Sequence, residues 1–172
     1  MGEPMGTFVE VWPVAADAAR IWLLSGDSPW ESALPVMSDS EPHFEVELTL
    51  KMNGALDPPL MLHSTSWRVD GQRLLLTYIA VIGVAGLVLD TWPQAQPVSL
   101  ELATAVGKPL PYHPAEPPTP RYIDVLLHAI RHVRFLMDTD TGNAAALDQN
   151  WRAQLSRLAP ALSGMYRSEG AE

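Results

Sequence analysis

The chain has 172 residues, enough for one domain with a real core, and its 47% hydrophobic content is that of a globular protein. A net charge of −9, with lysine only at Lys51 and Lys108, argues against nucleic acid or an anionic membrane surface as partner, because both demand a basic patch. The absence of cysteine excludes disulfides, thiol nucleophiles and cysteine-based metal sites.

The N-terminal MGEPMGTFVEVW has no basic stretch followed by an apolar one, so no signal peptide is expected and the cytoplasm is the expected location. Thr7 to Trp12 reads as an edge strand ended by Pro13. Ala15 to Ala19 reads as a helical turn or a loop. Arg20 to Ser25 is a second strand, followed by turn chemistry at Gly26-Asp27-Ser28-Pro29. Trp30 to Pro35 then leads into a polar loop.

His43 to Leu56 supports two readings. Phe44, Val46, Leu48, Leu50 and Met52 alternate with polar residues, the period of a strand. Yet Phe44, Leu48, Met52 and Ala55 share one helical face, Pro42 suits a first turn, and Asn53-Gly54 suits a C-terminal cap.

Leu60 to Leu89 is the most apolar stretch, and it predicts two strands joined at Val69-Asp70-Gly71-Gln72. The second, Leu74 to Ile82, is apolar on both faces, which predicts a central strand covered by helices. The longest apolar run, Leu74 to Leu89, contains Gly83 and Gly86 and is short for a membrane span. Asp90 to Pro97 reads as a loop and Val98 to Ala103 as a short strand. A proline-rich connector covers 108–120.

The remaining residues, 121–172, predict a helical hairpin on a core spanning 1–107. Thr119-Pro120 starts the first helix, with an apolar stripe from Ile123 to Met137. Asp138 to Asn143 breaks it. A second helix, about Ala144 to Leu158, buries Leu147, Trp151, Leu155 and Leu158. The fold class is therefore α/β (α+β), a mixed sheet flanked by helices with a C-terminal helical hairpin.

Four clusters hold chemically capable side chains. His63-Ser64-Thr65-Ser66-Trp67-Arg68 comes first; strict alternation sets His63, Thr65 and Trp67 on one face and Ser64, Ser66 and Arg68 on the other. His63 is an acid–base candidate, and a solvated strand face is the bland alternative. No Gly-x-Ser-x-Gly elbow surrounds the serines. Asp124, His128 and His132 lie on the helix face opposite the apolar stripe, with Arg131 beside them. His128 and His132 have chelating spacing, but Asp124 stands about 12 Å along the axis from His132. A solvated or subunit-facing helix side is the better reading. Glu45 and Glu47, near Asp39 and Glu41, are weak Mg²⁺ candidates, because residues two apart on a helix do not face each other. DTDTGN has calcium-loop composition without the distal Glu, and reads as an interhelical turn.

The order of pieces resembles the Nudix hydrolase fold. RIWLLSG leads through Trp30-Glu31-Ser32-Ala33-Leu34-Pro35 to an acidic segment ending in Asn53-Gly54, then to the strands LMLHSTSW and LLLTYIAVI. The resemblance covers about residues 7 to 105 and implies that 43–56 is a helix. It does not extend to the family's box. If Gly54 is the box glycine, Lys51 and Met52 occupy the positions of two metal-binding glutamates, and Pro35-Val36-Met37 replaces Pro-Gly-Gly.

Three functions follow. The first is a Nudix-like domain without the usual Mg²⁺-dependent hydrolysis, which binds a small-molecule ligand or a partner. Trp30, Ser64, Thr65, Trp67, Arg68 and Tyr78 are its ligand-binding candidates. The second is an active hydrolase of a nucleoside-diphosphate-type substrate with a rearranged set drawn from His63, Glu45 and Glu47; only here would Mg²⁺ enter. The third is a homodimeric interaction module. No cofactor and no metal site are otherwise expected, with Glu45, Glu47, His128 and His132 the weak metal candidates.

Overall fold

The computed structural model describes residues 6–105 and 122–162. The proline-rich connector and Thr119-Pro120 lie outside them. The fold is mixed α+β: a six-stranded mixed sheet with five α-helices among the described residues. The chain divides into two units, Met1–Val98 and Ser99–Glu172.

In the first unit, strand β1 (Gly6–Ala16) is the centre of the sheet rather than its edge. It pairs in parallel with β5 (Arg73–Val81) along one side. On the other side it meets β3 (Trp30–Glu31) at Glu10 and Val11, then β2 (Ile21–Leu23) from Val14 onward. Pro13 falls in the gap between those two neighbours, so its missing N–H removes no ladder bond and the strand continues through it. Val9 to Ala15 are all buried, as a strand covered on both faces requires.

The strand β4 (Met61–Asp70) pairs antiparallel with β5, and β6 (Gln96–Pro97) completes the order β4-β5-β1-β2-β6 on the far side of β2. The short strand expected at Val98 to Ala103 lies earlier, at β6; Leu100–Ala105 is a 3₁₀ helix instead. A further helical turn, α2 (Val88–Thr91), runs from the end of the apolar stretch into the first two residues of the loop expected at Asp90 to Pro97. The β4–β5 connection has positive φ at Gly71 alone, while Asp70 still pairs with Arg73. Gly at the first of two loop positions is the type II′ pattern.

The segment with two readings is the helix α1 (Pro42–Met52). Its C-terminus decides the issue. Gly54, at φ +93°, donates its N–H to the Lys51 carbonyl, and Ala55 donates to Leu50. These two bonds form a Schellman motif, and its usual apolar contact joins Ala55 to Leu50 within one core cluster. The helical face expected to be buried is not. Val46, Thr49 and Leu50 point inward, while Phe44, Leu48 and Met52 are exposed. Alternation wound on a helix distributes apolar residues around the axis, and the sheet takes only one side.

In the second unit, α3 (Tyr122–Thr139) packs against α4 (Thr141–Ala146) and α5 (Gln149–Leu155). The single second helix expected here is broken at Leu147. Asp148 caps α5 by accepting from Trp151 N–H at 2.9 Å, and Arg152 bonds the Ala144 and Leu147 carbonyls. Asp140 is all that separates α3 from α4, and its side chain caps α4 through Asn143 N–H. Leu147, Trp151, Leu155 and Leu158 are buried as expected. The Arg131–His132 side of α3 is not solvated. Arg131 Nε donates to the Ala159 carbonyl at 3.0 Å, His132 Nδ1 lies 3.2 Å from the Ala161 carbonyl, and both side chains are buried.

Candidate functional site

The chemistry of β4 is set by one extra residue. The ladder with β5 runs Met61↔Val81 to Ser64↔Tyr78, then resumes at Ser66↔Thr77, leaving Thr65 as a β-bulge. A bulge shifts the phase of alternation, so residues beyond it change face. Strict alternation would place Trp67 with His63. Instead Ser64, paired with Tyr78, and Trp67, paired with Leu76, share the face that carries α1. His63, Ser66 and Arg68 share the opposite face with Ile79, Thr77 and Leu75.

On that opposite face Arg68 meets Glu10, a fully buried carboxylate that sequence reasoning missed. Both guanidinium Nη atoms bond the two carboxylate oxygens, the Nη2–Oε2 contact being 2.6 Å. Thr77 Oγ1 donates to Glu10 Oε1 at 2.6 Å. The sequence signal for Glu10 is a charge inside the otherwise apolar strand Phe8 to Ala15. Arg68 therefore anchors the sheet and is not offered to a ligand. Nearby Glu31, directly opposite Glu10 on β3, has its own cation in Arg73 at 2.9 Å, which offsets the repulsion of facing carboxylates. Thr65, the bulged residue, is buried, with its hydroxyl 3.4 Å from the Thr77 carbonyl.

The α1 face of the β4–β5 hairpin forms a shelf. Trp67 and Ser64 are exposed, while Leu76, Tyr78 and Leu62 are half-buried against the core cluster. Burial, and after it the carboxylate of Glu41 at the start of α1, pushes the Tyr78 hydroxyl above its ordinary pKa. Trp30 lies on the same face but packs inward, its ring centroid 5.7 Å from that of Trp92. The shelf thus gathers three of the expected ligand-binding residues, Ser64, Trp67 and Tyr78; Trp30 joins the core behind them.

The catalytic candidates do not converge. His63 is on the far face of the sheet, its Nδ1 2.7 Å from the Ser64 carbonyl. Glu45 and Glu47 stand about 200° apart around α1. Glu47 pairs loosely with His43 at 3.8 Å and lines a cavity of about 100 Å³ with Leu50, Lys51 and the loop Ala55 to Pro59. Among the described residues, no group of three His, Asp or Glu side chains could hold a metal ion. His128 is half-buried and His132 is tied to Ala161, so the two do not present a chelating pair to solvent. Among the described residues, no helix is long and apolar enough to cross a membrane. No family model matches the chain, and no curated protein matches it.

Proposed function

We propose that this protein is a binding domain with a Nudix-like core, which takes a flat or apolar ligand group on the shelf of Ser64, Trp67, Leu76 and Tyr78. Exposed Trp67 carries the reading: a large aromatic ring held open on a paired strand is a stacking surface. The shelf suits a neutral or cationic group better than a phosphate. Its β4 cation, Arg68, is turned to the other face and bound to Glu10, and Glu41 adds negative charge near Tyr78. The Nudix-like core is supported by the order of elements: a strand and loop, a helix ending at Gly54, then an antiparallel hairpin in a mixed sheet. The box positions Lys51 and Met52 fit a core that has given up the usual Mg²⁺ chemistry.

Two measurements test this. Nucleoside diphosphate derivatives with Mg²⁺ or Mn²⁺ should show no turnover. Turnover abolished by Glu45→Gln or Glu47→Gln would replace the binding domain with a hydrolase using a rearranged set. Titration with indole or tryptamine, followed by amide NMR, should shift Ser64, Trp67 and Tyr78 in the wild type and not in Trp67→Ala.

A further inference from the structure

A second surface, independent of the shelf, lies on the outer side of α1. Phe44, Leu48 and Met52 are spaced i, i+4, i+8 and form a stripe about 80° wide. They are 61%, 42% and 70% exposed, although each is a residue type that ordinarily goes inside. The helix needs none of them for its own packing, since Val46, Thr49 and Leu50 make its inner face. Beside the stripe, Glu47, Leu50 and Lys51 form one wall of the cavity of about 100 Å³, and Leu56, 75% exposed, lies on its rim. A stripe with a small apolar hole at its flank is the form of a surface that accepts an amphipathic helix and one anchoring side chain.

The charges select the partner. Glu45 borders one side of the stripe, Lys51 the other with Glu47 beyond it, Glu41 stands at the start of the helix, and Asp57 lines the cavity. Lys51 is the one cation on α1. A second copy of the chain would bring a net charge of −9 of its own to this face. An anionic lipid surface would be repelled in the same way. We propose that the outer face of α1 docks a basic amphipathic segment of another protein, with apolar side chains over Phe44, Leu48 and Met52 and Lys or Arg against Glu45, Glu47 and Asp57.

The test uses the full chain and two synthetic helical peptides, one of Leu and Lys and one of Leu and Glu in the same pattern. Fluorescence anisotropy should show binding of the Leu/Lys peptide that weakens with salt, and none of the Leu/Glu peptide. The double variant Leu48→Ser, Met52→Ser keeps every charge. It should weaken binding by ~10-fold or more, as loss of two apolar anchors does. Both positions are exposed, so the variant should melt like the wild type, and circular dichroism checks this. Wild-type affinity in the double variant would overturn the proposal, because attraction would then be by charge alone. Equal binding of both peptides, no binding of either, or a homodimer by light scattering that the double variant abolishes would overturn it as well.

Discussion

Glu10 and Arg68, 58 residues apart in the chain, form a bidentate ion pair on one face of the sheet because β4 carries one residue too many at Thr65. Glu10 is fully buried, and Arg68 is the cation that balances it. Arg68→Ala should destabilise the fold by about 3–5 kcal/mol, because it strands a buried carboxylate. Replacing Glu10 and Arg68 by Met and Thr77 by Val together should recover most of that loss, since the buried carboxylate, its cation and the hydroxyl that donates to it are then removed as a set. Urea midpoints of the single and combined variants decide this; a triple variant no more stable than Arg68→Ala would refute it.

Deleting Thr65 tests the bulge directly. The deletion restores strict alternation and turns either Arg68 or His63 to the wrong face. Its cost should at least match that of Arg68→Ala, about 3–5 kcal/mol. Thr65→Val, which keeps the residue count and removes the hydroxyl that lies 3.4 Å from the Thr77 carbonyl, should cost about 1 kcal/mol. Similar urea midpoints for the deletion and Thr65→Val would show that the phase shift is immaterial.

Gly71 isolates backbone strain from packing. Its φ is +60°, and an added Cβ would meet nothing within 4 Å. Gly71→Val should therefore cost about 1–2 kcal/mol through conformation alone. An unchanged melting temperature would mean that the turn relaxes without penalty.

Much of the sheet was legible because its signals are local. The hairpin at Asp70-Gly71, the apolar strand Leu74 to Ile82 and the cap at Asn53-Gly54 each depend on a few adjacent residues. What was misread depends on partners distant in sequence. Pro13 reads as a strand end unless one knows that β3 stops and β2 begins around it. The phase of β4 changes at Thr65 because of its pairing with β5, and no residue type announces it. The outward stripe of α1 is as apolar as its inner face, so the pattern could not say which side the sheet would take. Trp67, Ser64 and Tyr78 stand out in the sequence by side-chain type, and the structure sets them on one face of the hairpin. Arg68 reads as a ligand contact in the sequence because Glu10, its ion-pair partner, lies in a different strand.

Trp151 is 1% exposed and sits at the first turn of α5, where Asp148 accepts its backbone N–H. Trp151→Ala should cost roughly 3–5 kcal/mol by leaving a cavity in the second unit. Asp148→Ala should cost about 1 kcal/mol by removing the cap. Thermal melts that ranked the two in the opposite order would show that the helix terminus, and not the core, holds α5 in place.

Burial, and after it the charge of Arg131, holds the His128 imidazole below its ordinary pKa of 6.5. The folded protein therefore resists protonating this ring more than the unfolded chain does. Well above pH 6.5 the ring is neutral in both states and imposes no penalty. As pH falls below that value, the unfolded chain takes up a proton that the folded state does not, and stability declines until pH reaches the folded pKa. Arg131 cannot escape this role by moving, because its Nε is fixed to the Ala159 carbonyl at 3.0 Å. His128→Gln should flatten the fall in urea midpoint over the range just below pH 6.5, while leaving the midpoint at neutral pH nearly unchanged. An imidazole titration by NMR should place His128 below a denatured reference. A folded value at or above that reference, or an unchanged pH slope in His128→Gln, would rule out this ring as a source of acid sensitivity.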